Sequence, residues 1–197
     1  MGKSRLEAFS DGVLAILITI MVLELKVPHG ADPAALRPLL PVFLSYVLSF
    51  VYLGIYWNNH HHMLAAARSV SGPILWANLH QLFWLSLIPF VTAWMGENHA
   101  ANLPVAIYGV VLLMNALAFI FLARMMVTHD GPDSALAKAM GNDFKGYISA
   151  TIYAVAIVLA LVWRPEAAKA LYVVVAMIWF IPDRRVERVL KAGDGAS

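Results

Sequence analysis

The chain has 197 residues, of which 61% are hydrophobic and only 13% charged, and its mean hydropathy is +0.72. A composition this apolar excludes a lone soluble core and points to an integral membrane protein. The formal charge of +2 is too small to argue for nucleic acid, and the lack of cysteine excludes disulfides, thiolate metal sites and thiol catalysis.

The first apolar segment spans residues 9–27 and follows "RLEAFSDG". Lys3 and Arg5 before an apolar run imitate a signal peptide, but Asp11 interrupts the approach, Glu24 and Lys26 follow, and no small-x-small cleavage site appears. The segment therefore reads as a retained helix. A second segment, 36–63, carries Pro38 and Pro41 near its start, where a first turn tolerates proline. The third, 73–96, contains Pro89 in mid-span, which predicts a kink. Then come 103–127, a polar linker at 129–143, and apolar segments at 144–163 and 166–182. Continuous rather than alternating apolar runs predict helices, not a barrel. Trp57, Trp76, Trp94, Trp163 and Trp179 fall near predicted ends, as an interfacial belt requires.

Six spans would place ten of the 14 Lys and Arg residues on the side of the N-terminus. The positive-inside rule then puts both termini in the cytoplasm of a multi-pass cell-membrane protein. Residues 1–185 form one transmembrane domain in this reading, and 186–197 a short cytoplasmic tail ending in a disordered "GDGAS". No internal repeat is visible.

Ionisable groups at membrane depth are functional candidates. On a helix, Arg5, Phe9 and Gly12 share a side with Ile16, Thr19, Ile20 and Leu23. One reading makes this stripe core packing, with Thr19 bonding its own backbone; the other turns it to water or ions. At the inner end of the second helix lies "WNNHHHM". Its three consecutive histidines point about 100° apart and cannot converge on one metal unaided, so no tightly bound metal or other cofactor is expected. Trp57 and His60 can face one neighbour, and His60 and Asn78 are expected as donors to Asp11. His61 and His62 are expected only to solvate a helix end.

These residues carry a resemblance. "RLEAFSDG", with "WNNH" in the second helix and "NL…LIPFVT" in the third, is similar to the signature set of the lysosomal potassium channel family (transmembrane protein 175) and its prokaryotic homologues. The resemblance covers essentially the whole chain. It implies an all-α membrane protein of six helices and a single repeat, assembled as a homotetramer in the lipid bilayer around a central pore lined by the first helix. Ile16, Ile20 and Leu23 would form a hydrophobic constriction in place of a carbonyl filter. Thr19 would supply a hydroxyl ring that potassium visits transiently, with modest preference over sodium. Arg5, Phe9, Ser10, Asp11, Trp57, His60 and Asn78 would form the polar network that holds the pore helices. A histidine run of three is richer than the family pattern requires. The competing readings are a proton-coupled secondary transporter using Asp11 and His60, an intramembrane enzyme using the histidines, and a structural protein without conductance. The resemblance favours a channel and no enzymatic activity.

Overall fold

A computed structural model of the chain describes residues 2–140 and 143–180. Those residues are helical or in loops, with no strand among them. The helices are α1 (Lys3–Ile20), α2 (Leu40–Ala66), α3 (Gly72–Ser86), α4 (Ile88–Glu97), α5 (Asn102–Asp130), α6 (Ala135–Met140), α7 (Phe144–Val162) and α8 (Pro165–Phe180). Tight 3-10 turns at Met21–Glu24 and Pro33–Leu39 extend α1 and precede α2. The expected tail at 186–197, and the basic Arg184, Arg185, Arg188 and Lys191, lie outside the described residues.

Five helical stretches are long and apolar enough to cross a bilayer: Lys3–Glu24, Pro33–Ala66, Gly72–Glu97, Asn102–Asp130 and Phe144–Val162. The sixth expected segment, α8, has 16 described residues, about 24 Å of helix against a hydrocarbon core of about 30 Å.

Three boundaries differ from expectation for physical reasons. The first helix starts at Lys3 rather than residue 9, because polar residues extend it and the Lys3 ammonium caps the far end of α2, donating to the carbonyls of Ala65 at 2.8 Å and Ala67 at 2.9 Å. It also ends earlier, since Leu25 is already extended ahead of Pro28. The third span is broken outright at Leu87. Pro89 has no N–H to offer, and Val91 resumes the ladder by bonding the Leu87 carbonyl at 3.1 Å. The polar linker contains α6, opened by the Ser134 hydroxyl, which accepts from the Ala137 amide at 3.1 Å.

The bundle is built around α5, whose apolar stretch is 67% buried, the highest fraction among the spans. It packs on α3, α4, α7 and α8. Several polar side chains inside this core bond one another or nearby carbonyls, as a chain surrounded by lipid favours. Ser49 contacts the hydroxyls of Thr92 at 2.6 Å and Tyr108 at 2.9 Å, and the Tyr172 hydroxyl donates to the Val105 carbonyl at 3.0 Å. At the Glu24 end, Lys26 meets Glu97 at 2.6 Å, and that hydrogen bond, reinforced by the carboxylate charge, raises the lysine above its ordinary pKa.

Helices α2 and α4 cross where Gly96 has no side chain: a Cβ there would lie 2.8 Å from the Val42 Cα. Backbone cannot yield as a flexible side chain does. Gly96→Ala is therefore expected to destabilise the protein by about 1–3 kcal/mol, read as a lower melting temperature in detergent. Gly54→Ala, where nothing lies within 4 Å, is expected to leave it nearly unchanged.

Candidate pore helix and its polar anchor

Helix α1 has two faces of opposite character. Leu6, Ser10, Leu14, Leu17 and, beyond its end, Met21 recur at steps of three and four and are buried against α2 and α3. The other side leaves Ile16, Ile20 and Leu23 at 63%, 43% and 78% exposure. Gly12 and Thr19 are exposed with them, and nothing stands within 4 Å of where a Gly12 Cβ would be. The 3-10 turn keeps the stripe straight, because three residues per turn stack Leu23 over Ile20.

Thr19 behaves as the core-packing reading foresaw in one respect: its hydroxyl donates to the carbonyls of Ala15 at 2.9 Å and Ile16 at 3.0 Å. It is nonetheless exposed. Donating inward leaves its oxygen lone pairs outward, the orientation a cation would need.

Two separate hydrogen-bonded groups tie α1 to its neighbours. In the first, the Asn78 side-chain amide donates to the Ser10 hydroxyl at 3.0 Å, while its carbonyl oxygen lies 2.7 Å from His60 Nε2. That nitrogen therefore carries the ring proton. Ser10, Asn78 and His60 are 0%, 0% and 1% exposed, so three helices meet in a buried polar cluster, in which His60 Nδ1 has no hydrogen-bond partner among the described residues. In the second, half-exposed group, the Trp57 indole donates to Asp11 Oδ1 at 3.0 Å. His61 stacks on the Trp57 ring with centroids 6.2 Å apart, and its Nδ1 lies 3.1 Å from Glu7.

The expected network is thus divided. Asn78 bonds Ser10 and not Asp11, because Asp11 sits about 100° further round the helix. Arg5 is exposed and has no hydrogen-bond or ion-pair partner within the protomer among the described residues, and Phe9 is 48% exposed. Asp11 and His60, the pair a proton relay would use, belong to different groups. His61 does more than solvate a helix end, since it faces Glu7; His62 packs edge-on against it. Glu7 was missed, although it lies one helical turn before Asp11. Gln81, one turn beyond Asn78, is 0% exposed and neither end of its amide is bonded within the described protein. Among the described residues, no three His, Asp or Glu side chains converge as a metal site would require.

The family model described as endosomal/lysosomal potassium channel TMEM175 matches residues 5–89, the stretch that holds α1 and its anchors on α2 and α3. A potassium channel of Chryseobacterium sp. (strain P1-3) is 53% identical over 191 residues, covering 97% of this chain and 99% of that relative. The chain belongs to the TMEM175 family. Human endosomal/lysosomal proton channel TMEM175 is 32% identical over 101 residues, 45% of this chain but 20% of the human protein. The fold agrees too. The crystal structure of a lysosomal potassium-selective channel TMEM175 homolog from Chamaesiphon minutus superposes with a TM-score of 0.78 at 26% identity, covering 91% of this chain and 96% of that one. As in that family, the chain is an all-helical, multi-pass membrane protein.

Replacing Asn78 by leucine deprives both Ser10 and His60 of their partner in an apolar setting. Asn78→Leu is expected to cost about 1–3 kcal/mol for each group stranded, and so to lower the melting temperature in detergent more than Ser10→Ala, which strands only the Asn78 amide. A smaller fall for Asn78→Leu would contradict the shared cluster.

Proposed function

We propose that this protein is a potassium channel in which copies of the chain, four of them by the family pattern, gather α1 around one axis. The observation that carries this reading is the exposed branched-aliphatic stripe of α1, set opposite the face that Ser10, Asn78 and His60 hold inward. One helix cannot enclose a pore, so the reading requires self-assembly, and closed rotational symmetry brings identical stripes together. The names of the bacterial relatives as potassium channels support the permeant ion.

In this reading Ile16, Ile20 and Leu23 form rings that close by dewetting. Potassium sheds water more readily than sodium, so a constriction with few oxygen ligands passes it with modest preference, and the outward lone pairs of Thr19 replace part of the lost hydration. Arg5 and Phe9 stand at the inner mouth beside the Asp11–Trp57 pair. With α8 as a sixth span, residues 1–185 are the channel domain, 186–197 the tail, and both termini lie on the cytoplasmic side of the cell membrane.

Potassium efflux from liposomes containing purified protein tests the proposal. Ile16→Asn is expected to raise flux by hydrating the constriction, and unaltered flux would remove Ile16 from the pore. Thr19→Val is expected to lower the potassium-to-sodium permeability ratio by about 3- to 10-fold, the scale of one hydroxyl contact. An unchanged ratio would show that the hydroxyl does not discriminate.

A further inference from the structure

Glu7 and Asp11 stand one turn apart on α1, and Trp57 and His61 one turn apart on the antiparallel α2. They pair as two rungs: Trp57 Nε1 donates to Asp11 Oδ1 at 3.0 Å, and His61 Nδ1 lies 3.1 Å from Glu7 Oε1. The rungs are coupled through the stacked rings of Trp57 and His61. The two rungs differ in chemistry: an indole donor keeps its proton, whereas an imidazole is a side chain that can take one up.

We propose that Glu7 and His61 are positioning residues for the pore helix, and that proton binding to His61 from the Lys3 side of the membrane draws α1 toward its own α2. The inference rests on the channel reading above. Glu7 lies about 180° round the helix from Ile16, so a pull on Glu7 moves the stripe away from the axis it faces and widens the constriction. Protonated His61 forms an ion pair with Glu7, whereas neutral His61 offers at most an uncharged hydrogen bond, which draws the carboxylate less strongly. The group stays accessible to protons, with the His61 side chain 46% and the Glu7 side chain 26% exposed. Its other titratable neighbours are Asp11 across Trp57, His62 beside it and the buried His60 before it, while Lys138 stands on α6, which also packs on α2. Lys3 on α1 is engaged by the Ala65 and Ala67 carbonyls, and His61, once protonated, is the cation that lies against Glu7. The pair accounts for part of the histidine run.

The test is potassium flux through the reconstituted channel while the Lys3 side is taken from about pH 8 to about pH 5.5. Wild type is expected to gain about threefold in flux, the population shift one half-exposed ion pair supplies. His61→Gln and Glu7→Gln are expected to flatten the profile at its alkaline level, and His61→Lys to hold it at the acid level throughout. His62→Gln should keep the step. A step that survives His61→Gln or Glu7→Gln, or one of opposite sign, overturns the proposal. Nuclear magnetic resonance of ring-labelled histidine reads the pair without flux: Glu7→Gln is expected to move the His61 ring-nitrogen resonances, and unmoved resonances also overturn it. Absent flux in wild type, with the His61 resonances still moved by Glu7→Gln, would instead count against the channel reading.

Discussion

The hydrogen bond from Asn78 to Ser10, backed by His60, decides how α1 is rotated about its own axis. All three side chains are buried, so the bonds are shielded from bulk water, and any rotation that breaks them leaves unpaired polar groups in an apolar interior. A slip of one residue would turn α1 by about 100°, and in the direction that puts Ile16 in the place of Leu17 it would carry Ile16 into the protomer. Everything said about the exposed stripe depends on that angle. Hydrophobic packing alone would specify it poorly, because almost every residue from Gly12 to Leu23 is apolar and would accept either face.

The rest of the bundle supplies the stiffness that α1 lacks. Helix α5 is packed by five other helices and stitched by buried tyrosine and serine hydroxyls, whereas the apolar stretch of α1 is only 28% buried. A helix held by a few bonded points, with little packed area, can shift while its scaffold stays still. The anchors sit toward the Lys3 end: Lys3 on the α2 carbonyls, Glu7 on His61, Ser10 on Asn78, Asp11 on Trp57. Beyond Asp11, α1 is held mainly by Leu14, Leu17 and Met21, and the aliphatic rings of the proposed gate lie on that freer portion.

Helix type and the break near Pro89 were legible in the sequence, because continuous apolar runs and a mid-span proline each have one physical consequence. Ser10, His60 and Asn78 were readable as polar groups set against an apolar background. Their partnering was not, since which amide reaches which hydroxyl depends on helix rotation, and adjacent Ser10 and Asp11 looked interchangeable. Glu7 went unnoticed because an acidic residue in a first turn is common on solvent-facing helices. Gln81 carried a weak signal, a buried-side polar residue one turn past Asn78, without any indication of what it bonds. The short α6 was hidden by its length, although Ser134 ahead of an alanine-rich run marks a helix start.

The most direct test of the shared axis uses the natural absence of cysteine. Ile16→Cys would be the only thiol in each chain, and oxidation followed by denaturing electrophoresis reports whether two copies bring it within disulfide reach, about 4–7 Å between Cα atoms; Phe83→Cys and Phe90→Cys, on the exposed face of the broken third span, serve as controls. The account predicts covalent dimers for Ile16→Cys, reversed by reductant, and potassium flux that thiol-binding silver ions block. Dimers from Phe83→Cys or Phe90→Cys with none from Ile16→Cys, and flux indifferent to silver, would contradict it.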